Sequence, residues 1–383
     1  MSALPRFEAQ HGDVAIVLLG IGVVGGALLK LLSTPAGRGI RLVGVANSSR
    51  QIVDADGLST EAASSLLARA APYRDDAELL AALDESGAAR RVIVDATASE
   101  RTAARHADWI GRGFDVVTAN KAAAAAPSGE WSTLRRASLC GGAYGDAATV
   151  GAGLPILATL RRLRACGDEL IAIEGVFSGS LSWLFNRYDG TRPFSALLRE
   201  ARAWGYTEPD PRSDLCGADV ARKLVILARA SGHGLDADAI EIESIVPPAL
   251  RDVDTDTFLA RAGELDAAIE TRRATAAAQG QVLRHLATFD AKGHARVGLV
   301  AVDPDHPAAR LSGTDNWFAL TTQRYRTRPL VIQGPGAGAE VTAQALLGDL
   351  LSLLPARIAA RVAQDIETNR APGATAAAPR HRR

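Results

Sequence analysis

Residues 14–25 read VAIVLLGIGVVG, six apolar residues in a row that stop at a glycine and pass at once into GxGxxG. A short unbroken apolar run fits a strand covered on both faces, as in a parallel sheet. Gly20 permits a tight turn, Gly22 lets backbone approach a pyrophosphate, and Gly25 lets the following helix pack against the strand. The phosphates would then sit at a helix start, among free N–H groups, lined by Gly20, Ile21, Gly22, Val23, Val24 and Gly25. A bare GxGxxG is a weak signal; the frame around it strengthens the reading.

Working outward, residues 23–32 keep a helical register, a Pro/Gly break covers 35–39, and 41–46 (RLVGVA) reads as a second strand. Strand, helix and strand within about 30 residues imply parallel strands and a right-handed crossover. The alternation continues through an alanine-rich helical stretch at 59–83, a strand at 91–96, a helix at 103–112 and a strand at 114–118. Residues 14–147 are therefore expected to form a doubly wound parallel α/β domain that binds a dinucleotide. From 148 to 332 the pattern is mixed, with strand-like runs at 170–177, 281–290 and 295–302 and helical runs after Leu215 and at 258–279. A final strand, glycine loop and helix lead to the expectation that 333–366 returns to the first domain. The stretch 367–383 is low-complexity and basic, and is expected to be disordered.

Composition narrows the function. Forty-seven per cent hydrophobic and 22% charged residues fit soluble globular structure, and 43 basic residues balance 43 acidic ones, which removes the footprint of a nucleic-acid binder. No 18-residue apolar run and no signal peptide is visible, so no membrane partner and a cytoplasmic location are expected. Cys140, Cys166 and Cys216 are odd in number and widely spaced, which argues against disulfides and zinc and for buried small hydrophobes.

Where an NAD-selective domain places an acid at the end of the second strand, this chain has Asn47, Ser48, Ser49 and Arg50. Arg50 could pair with a 2′-phosphate, which favours NADP or dual use with NAD; it could equally be a solvated loop arginine. Only four lysines occur, Lys30, Lys121, Lys223 and Lys292, among 39 arginines. In such a background a lysine marks a place that needs an amine able to release its proton, which arginine cannot do. Asp219 and Lys223 are four apart on one helical face, either as a surface ion pair or as a desolvated amine held by a carboxylate. The apolar run LVILARA after Lys223, and Glu208, Asp210 and Asp214 before it, favour the second. Lys121 follows a predicted strand at the sheet edge where α/β folds bind ligands, and Thr97 and Ser99 end the preceding strand either as ligand contacts or as helix caps.

Together GIGVVGGALL, VGVANS, VIVDATAS, VVTANK, VGAGLPIL, SGSLSWLFN, GYTEPDPRSDLCGADVARKLVILAR and GPGAGAEVTA resemble homoserine dehydrogenase, in order and over nearly the whole chain. The likeness is greatest to the dehydrogenase half of the bifunctional aspartokinase/homoserine dehydrogenases. With 13 residues before the first strand, no kinase or feedback-regulatory domain is expected. The resemblance implies a Rossmann domain joined to an α+β substrate and dimerisation domain, a homodimer, and interconversion of L-homoserine with L-aspartate 4-semialdehyde in threonine, methionine and isoleucine biosynthesis. It further implies that Lys223 transfers the proton, that Lys121 is a second active-site lysine near the cofactor, and that Glu208 and Asp219 hold the substrate amino group. Gly205, Tyr206 and Asp214 share that pocket, and Gly338 lies close to the cofactor. The family's acidic ligand for a monovalent cation such as sodium falls here on Ala147. Asp146 and the backbone carbonyls of Val150, Ala152 and Leu154 are the remaining candidates.

Two rivals stand beside this reading. A semialdehyde dehydrogenase would need a thiolate, and Cys216 lies inside the key motif without a histidine nearby in sequence. A catalytically silent NADP(H)-binding module that senses redox state would need neither Lys121 nor Lys223.

Overall fold

The structure, a computed structural model, describes residues 14–354. The expectations for the first 13 residues, for the end of the returning segment and for the 367–383 tail lie outside that range. The described residues divide into two compact units, one holding 14–94 together with 347–354, the other Asp95–Leu346.

In the first unit, β1 (Val14–Leu19), α1 (Val23–Leu32) and β2 (Ile40–Ala46) form the expected strand, helix and strand, with β1 and β2 parallel. A short antiparallel β3 (Gln51–Val53) edges β2, and β4 (Arg90–Asp95) lies on the other side of β1, giving the order β3-β2-β1-β4. Strand order therefore reverses at β1, so its C-terminal end is the switch point at which doubly wound sheets bind ligands. All six residues of β1 are buried, as an apolar run covered on both faces requires. The helical stretch expected at 59–83 is broken into α2 (Ala63–Arg69) and α3 (Asp76–Glu85). Pro72 lies between them and lacks the N–H a continuous helix would use, and Asp75 caps α3 by accepting from Ala77 N at 2.8 Å.

The second unit begins with α4 (Glu100–Ala103), α5 (His106–Gly111), β5 (Asp115–Thr118), α6 (Lys121–Ala124), α7 (Ser128–Cys140) and β6 (Tyr144–Gly145), the last strand pairing in parallel with β5. After α8 (Ile156–Ala165), β7 (Leu170–Val176) opens a second sheet. There follow α9 (Gly179–Arg187), α10 (Phe194–Ala203), α11 (Arg212–Leu215), α12 (Ala218–Ala230), β8 (Glu241–Ile242), α13 (Thr255–Arg261) and α14 (Asp266–Ala278). The chain closes with β9 (Val282–Asp290), β10 (Ala295–Val302), β11 (Asp315–Thr322), β12 (Leu330–Pro335) and α15 (Ala339–Ser352). The second sheet runs β12-β11-β7-β9-β10-β8, antiparallel except where β8 joins β10. Residue 333, taken from sequence as the start of the returning segment, lies inside β12 and so within this sheet.

Side chains of β11 alternate as the pleat demands: Phe318 and Leu320 enter the main core beneath the helices, whereas Trp317 and Ala319 enter a smaller cluster with Val176 and Leu286. Helix α12 is enclosed by that main core, with nine of its residues buried from Val220 to Ala230. Arg222 stays exposed on its outer face, whereas the Lys223 side chain is largely withdrawn from solvent. The cysteines depart from expectation. Cys140 and Cys166 are exposed and Cys216 is half-buried; each stands at the end of a helix, the last between the buried Leu215 and Gly217.

Candidate active site

In the first unit the glycine turn has the form its sequence requires. Gly20 adopts φ +88°, a conformation L side chains rarely take, and its N–H bonds Ala46 O at 2.8 Å, tying the turn to the end of β2. Helix α1 starts at Gly22 with no side-chain cap, and a Cβ on Gly22 would meet nothing within 4 Å. Gly25 is buried where α1 packs, while Val23 is 81% exposed beside the uncapped N–H groups. Such a turn suits a dinucleotide phosphate. At the end of β2, Asn47 Oδ1 accepts from Ser49 N and Arg50 N, which shapes the Asn47–Arg50 turn. Arg50 donates to the carbonyls of Ala68 and Ala70, so it is not a freely solvated side chain. Arg74, which the sequence did not single out, donates to Asn47 O at 2.6 Å and pairs with Asp76.

In the second unit the two lysines meet one carboxylate. Lys223 Nζ lies 2.9 Å from Asp219 Oδ2 and donates to Phe177 O at 2.7 Å, and Lys121 Nζ lies 3.4 Å from Asp219 Oδ1. The Lys223 side chain is only 13% exposed, so this is no surface ion pair. Burial pushes the Asp219 carboxyl upward, but Lys223 and Lys121 outweigh it and hold the group well below the usual carboxylate range. Asp219 occupies the first turn of α12, where a carboxylate also suits the helix dipole. Gly217, at φ +76°, sets the entry to that turn.

The loop before α12 is anchored at both ends. Gly205 (φ +73°) closes α10: its N–H bonds Arg202 O at 3.0 Å and Tyr206 N bonds Ala201 O at 2.9 Å, the paired reverse bonds of a glycine helix stop. That conformational task accounts for the glycine and projects Tyr206, whose ring lies against Trp183 and Trp204. Asp214 accepts from Ser180 Oγ at 2.6 Å and from Glu208 N at 2.9 Å. Burial nevertheless raises its carboxyl above the ordinary value. The Glu208 residue is exposed, free to meet a ligand cation. Asp210 is committed elsewhere, to Arg212 and Thr255.

Asn120 precedes Lys121 and caps α6, accepting from Ala122 N, while its amide donates to Asp95 Oδ2 at 3.0 Å and Ser99 O at 2.9 Å. Asp95 also bonds Thr97 N and His106 Nε2, and His106 Nδ1 is 3.3 Å from Tyr144 Oη. Asp95 and His106 are fully buried. Thr97 and Ser99 both act as local caps: Thr97 Oγ1 accepts from Ser99 N, and Ser99 Oγ from Thr102 N. Asp95 and Asn120 were visible in VIVDATAS and VVTANK but drew no assignment, and nothing in sequence linked them to His106. Phe177 O, Ser180 and Tyr144 were equally beyond reach, since a backbone acceptor and a cross-element hydroxyl leave no pattern.

Gly338 (φ +128°) ends the GPGAG loop before α15, and Gly153 and Leu154 of the 150–154 loop pack against Val341 and Gly334. Asp146, 1% exposed, is engaged by Arg161 at 2.6 and 2.7 Å from its two carboxylate oxygens. The Leu154 carbonyl accepts from Ile156 N at 2.8 Å, and Ala152 is held at φ +52°. No cluster of three or more metal-ligating side chains occurs among the described residues. No helix among them is long and apolar enough to cross a membrane.

The glycine turn at a sheet switch point in the first unit, and separately the half-buried lysine–carboxylate–lysine group in the second, place the chain in the class of dinucleotide-binding α/β proteins. Comparison with known proteins makes it particular. The family model for the homoserine dehydrogenase NAD binding domain matches residues 20–144, and that for homoserine dehydrogenase matches residues 155–351. The chain is 42% identical over 272 residues to homoserine dehydrogenase from Schizosaccharomyces pombe, covering 69% of this chain and 72% of that one. It is 40% identical over 365 residues to a bifunctional aspartokinase/homoserine dehydrogenase of Zea mays, covering 92% of this chain but 40% of the relative's length. A crystal structure of a Candida auris protein of unknown function superposes with a TM-score of 0.82 at 34% identity, covering 91% of this chain and 99% of that one. The chain belongs to the homoserine dehydrogenase family and carries its Rossmann-like NAD-binding domain.

Proposed function

We propose that the chain interconverts L-homoserine and L-aspartate 4-semialdehyde with NADP or NAD, residues 14–147 carrying the cofactor and the following region the substrate. The carrying observation is Lys223: a side chain 13% exposed, its amine held by Asp219 and by Phe177 O. An ammonium has three N–H groups, so two bonds leave one to face a substrate oxygen. Lys223 would give that proton to the forming alkoxide in reduction and take it from the hydroxyl in oxidation. Glu208 and Asp219 would hold the substrate ammonium, with Gly205, Tyr206 and Asp214 in the same pocket, and so fix the carbonyl carbon at the near-attack distance of roughly 3–3.5 Å. Lys121 would act on the cofactor side of the same carboxylate.

The cofactor would be held by Gly20–Gly25, with Asn47, Ser48, Arg50, Thr97, Ser99 and Gly338 as further contacts; when bound it supplies or accepts the hydride. Arg50, at the turn that would face the ribose, supports use of NADP. Asp146 does not suit a monovalent cation, because Arg161 already supplies the positive charge at its carboxylate. Carbonyls of Val150, Ala152 and Leu154 would be the ligands left. A homodimer and a cytoplasmic location complete the proposal.

The test is an assay of the purified chain with L-homoserine and NAD⁺ or NADP⁺ in parallel, following the absorbance of the reduced nicotinamide. Homoserine-dependent reduction is expected. Tight NADPH binding without homoserine turnover would instead favour the silent redox-sensing module.

A further inference from the structure

The group that brings Lys121 and Lys223 to one carboxylate spans two elements, and α6 is only four residues long. A helix of one turn does not hold its own position, and its terminal carbonyls lack intrahelical partners. Arg229, near the end of α12, supplies both needs. Its Nη1 donates to Ala124 O at 2.9 Å and to Ala126 O at 2.7 Å, at the C-terminal end of α6. Nη2 donates to Asp236 Oδ1 at 2.7 Å, and Nε to Leu235 O at 3.2 Å. Asp236 in turn accepts from Ser128 Oγ at 2.6 Å at the start of α7. The guanidinium is 2% exposed and lies 5.5 Å from the centre of the Trp131 ring. Burial lowers its affinity for the proton, against the pull of Asp236, yet an arginine stays charged.

We propose that Arg229 is the positioning residue of the lysine pair: by fastening the far end of α6 to α12 it fixes Lys121 at bonding distance from Asp219, beside Lys223. Lys121 opens α6 three residues before Ala124, and Lys223 lies six residues before Arg229 on α12, so the clamp and the carboxylate are polar ties at opposite ends of α6, beside the burial of Ala124 in the core that also holds Val225 and Ala228. A lysine at 229 could not replace it, since one compact ammonium cannot reach four acceptors spread over a planar fork. The inference rests on the reading above that Lys121 serves turnover.

The small number of lysines supplies the test. With only Lys30, Lys121, Lys223 and Lys292 present, a protein labelled at the lysine side chains gives four signals, assignable by single substitutions. In Arg229→Gln the Lys121 signal should move while those of Lys30 and Lys292 stay, and kcat should fall on the order of tenfold with the homoserine KM changing less. In a Lys121→Met background the same change should cost under about twofold, because coupled residues are not additive. A Lys121 signal that does not move in Arg229→Gln overturns the inference, as does an equal loss of turnover in both backgrounds. Should Arg229→Gln not fold, Asp236→Asn weakens the same clamp with Arg229 in place, and the same signal decides. Full turnover in Lys121→Met alone would overturn the assignment of Lys121, and is distinguished from failure of the clamp by the lysine signals.

Discussion

Replacing Lys223 by arginine separates charge from proton transfer. Its amine spends one N–H on Phe177 O at 2.7 Å and one on Asp219 at 2.9 Å, so the third is the only one left for substrate. A guanidinium can keep both bonds and the positive charge, but it does not release a proton at working pH. Lys121 still neutralises Asp219 from 3.4 Å, so the half-buried carboxylate is not stranded and the fold should survive. General acid–base catalysis is worth about 10²–10⁴ in rate. Lys223→Arg should therefore lower kcat by about two to four orders of magnitude, some 2.7–5.4 kcal/mol of barrier, with a much smaller change in homoserine KM. Lys223→Met should lose as much turnover, showing that restored charge does not rescue it. The assay is homoserine-dependent reduction of the nicotinamide, with thermal unfolding as a control for folding. An arginine variant that keeps more than about a tenth of native kcat would refute the role of Lys223 as proton donor and acceptor.

Glu208→Gln should raise the homoserine KM about tenfold, the low end for a charge-assisted bond at an exposed residue, and leave kcat nearly unchanged; an unaltered KM removes Glu208 from the amine contact. Turnover without sodium or potassium should stay within about twofold of that with either salt, since Arg161 occupies the Asp146 carboxylate; loss of activity on stripping monovalent cations would show that backbone carbonyls suffice to hold one. His285, buried on β9, has its pKa lowered from 6.5 to about 4, first by burial and then by Arg272. The unfolded chain takes up this proton first, so the stability it affects is complete above the ordinary value and is lost as pH falls towards about 4, on the order of 3 kcal/mol in all. Urea unfolding of His285→Leu should show about 2 kcal/mol less loss between about pH 7 and 5 than the native chain, and equal losses would exclude His285 as the acid-sensitive group.

Elements whose signal is local were legible before any coordinates. VAIVLLGIGVVG announced strand, turn and helix because burial on both faces and the need for φ > 0 leave direct marks on residue type. Helix α12 was legible through its apolar run, and Lys223 through the scarcity of lysine. The stretch 59–83 was read as one helix because alanine and leucine dominate it; Pro72 and the Asp75 cap decided otherwise. Burial of the cysteines was misjudged because residue type says nothing of whether a helix end faces solvent.

What the sequence determined by itself was the doubly wound start and the family, since short-range periodicity and motif spacing encode these. What only tertiary structure decided was partnership. That Asp219 serves two lysines, that Phe177 lends a carbonyl, that Asp95 gathers Asn120 and His106, and that Arg229 clamps α6 all join residues from separate elements. Such bonds are fixed by how elements pack in the folded chain, and a linear sequence carries no distance between residues that stand from 11 positions apart, as Asp95 and His106, to 105, as Ala124 and Arg229.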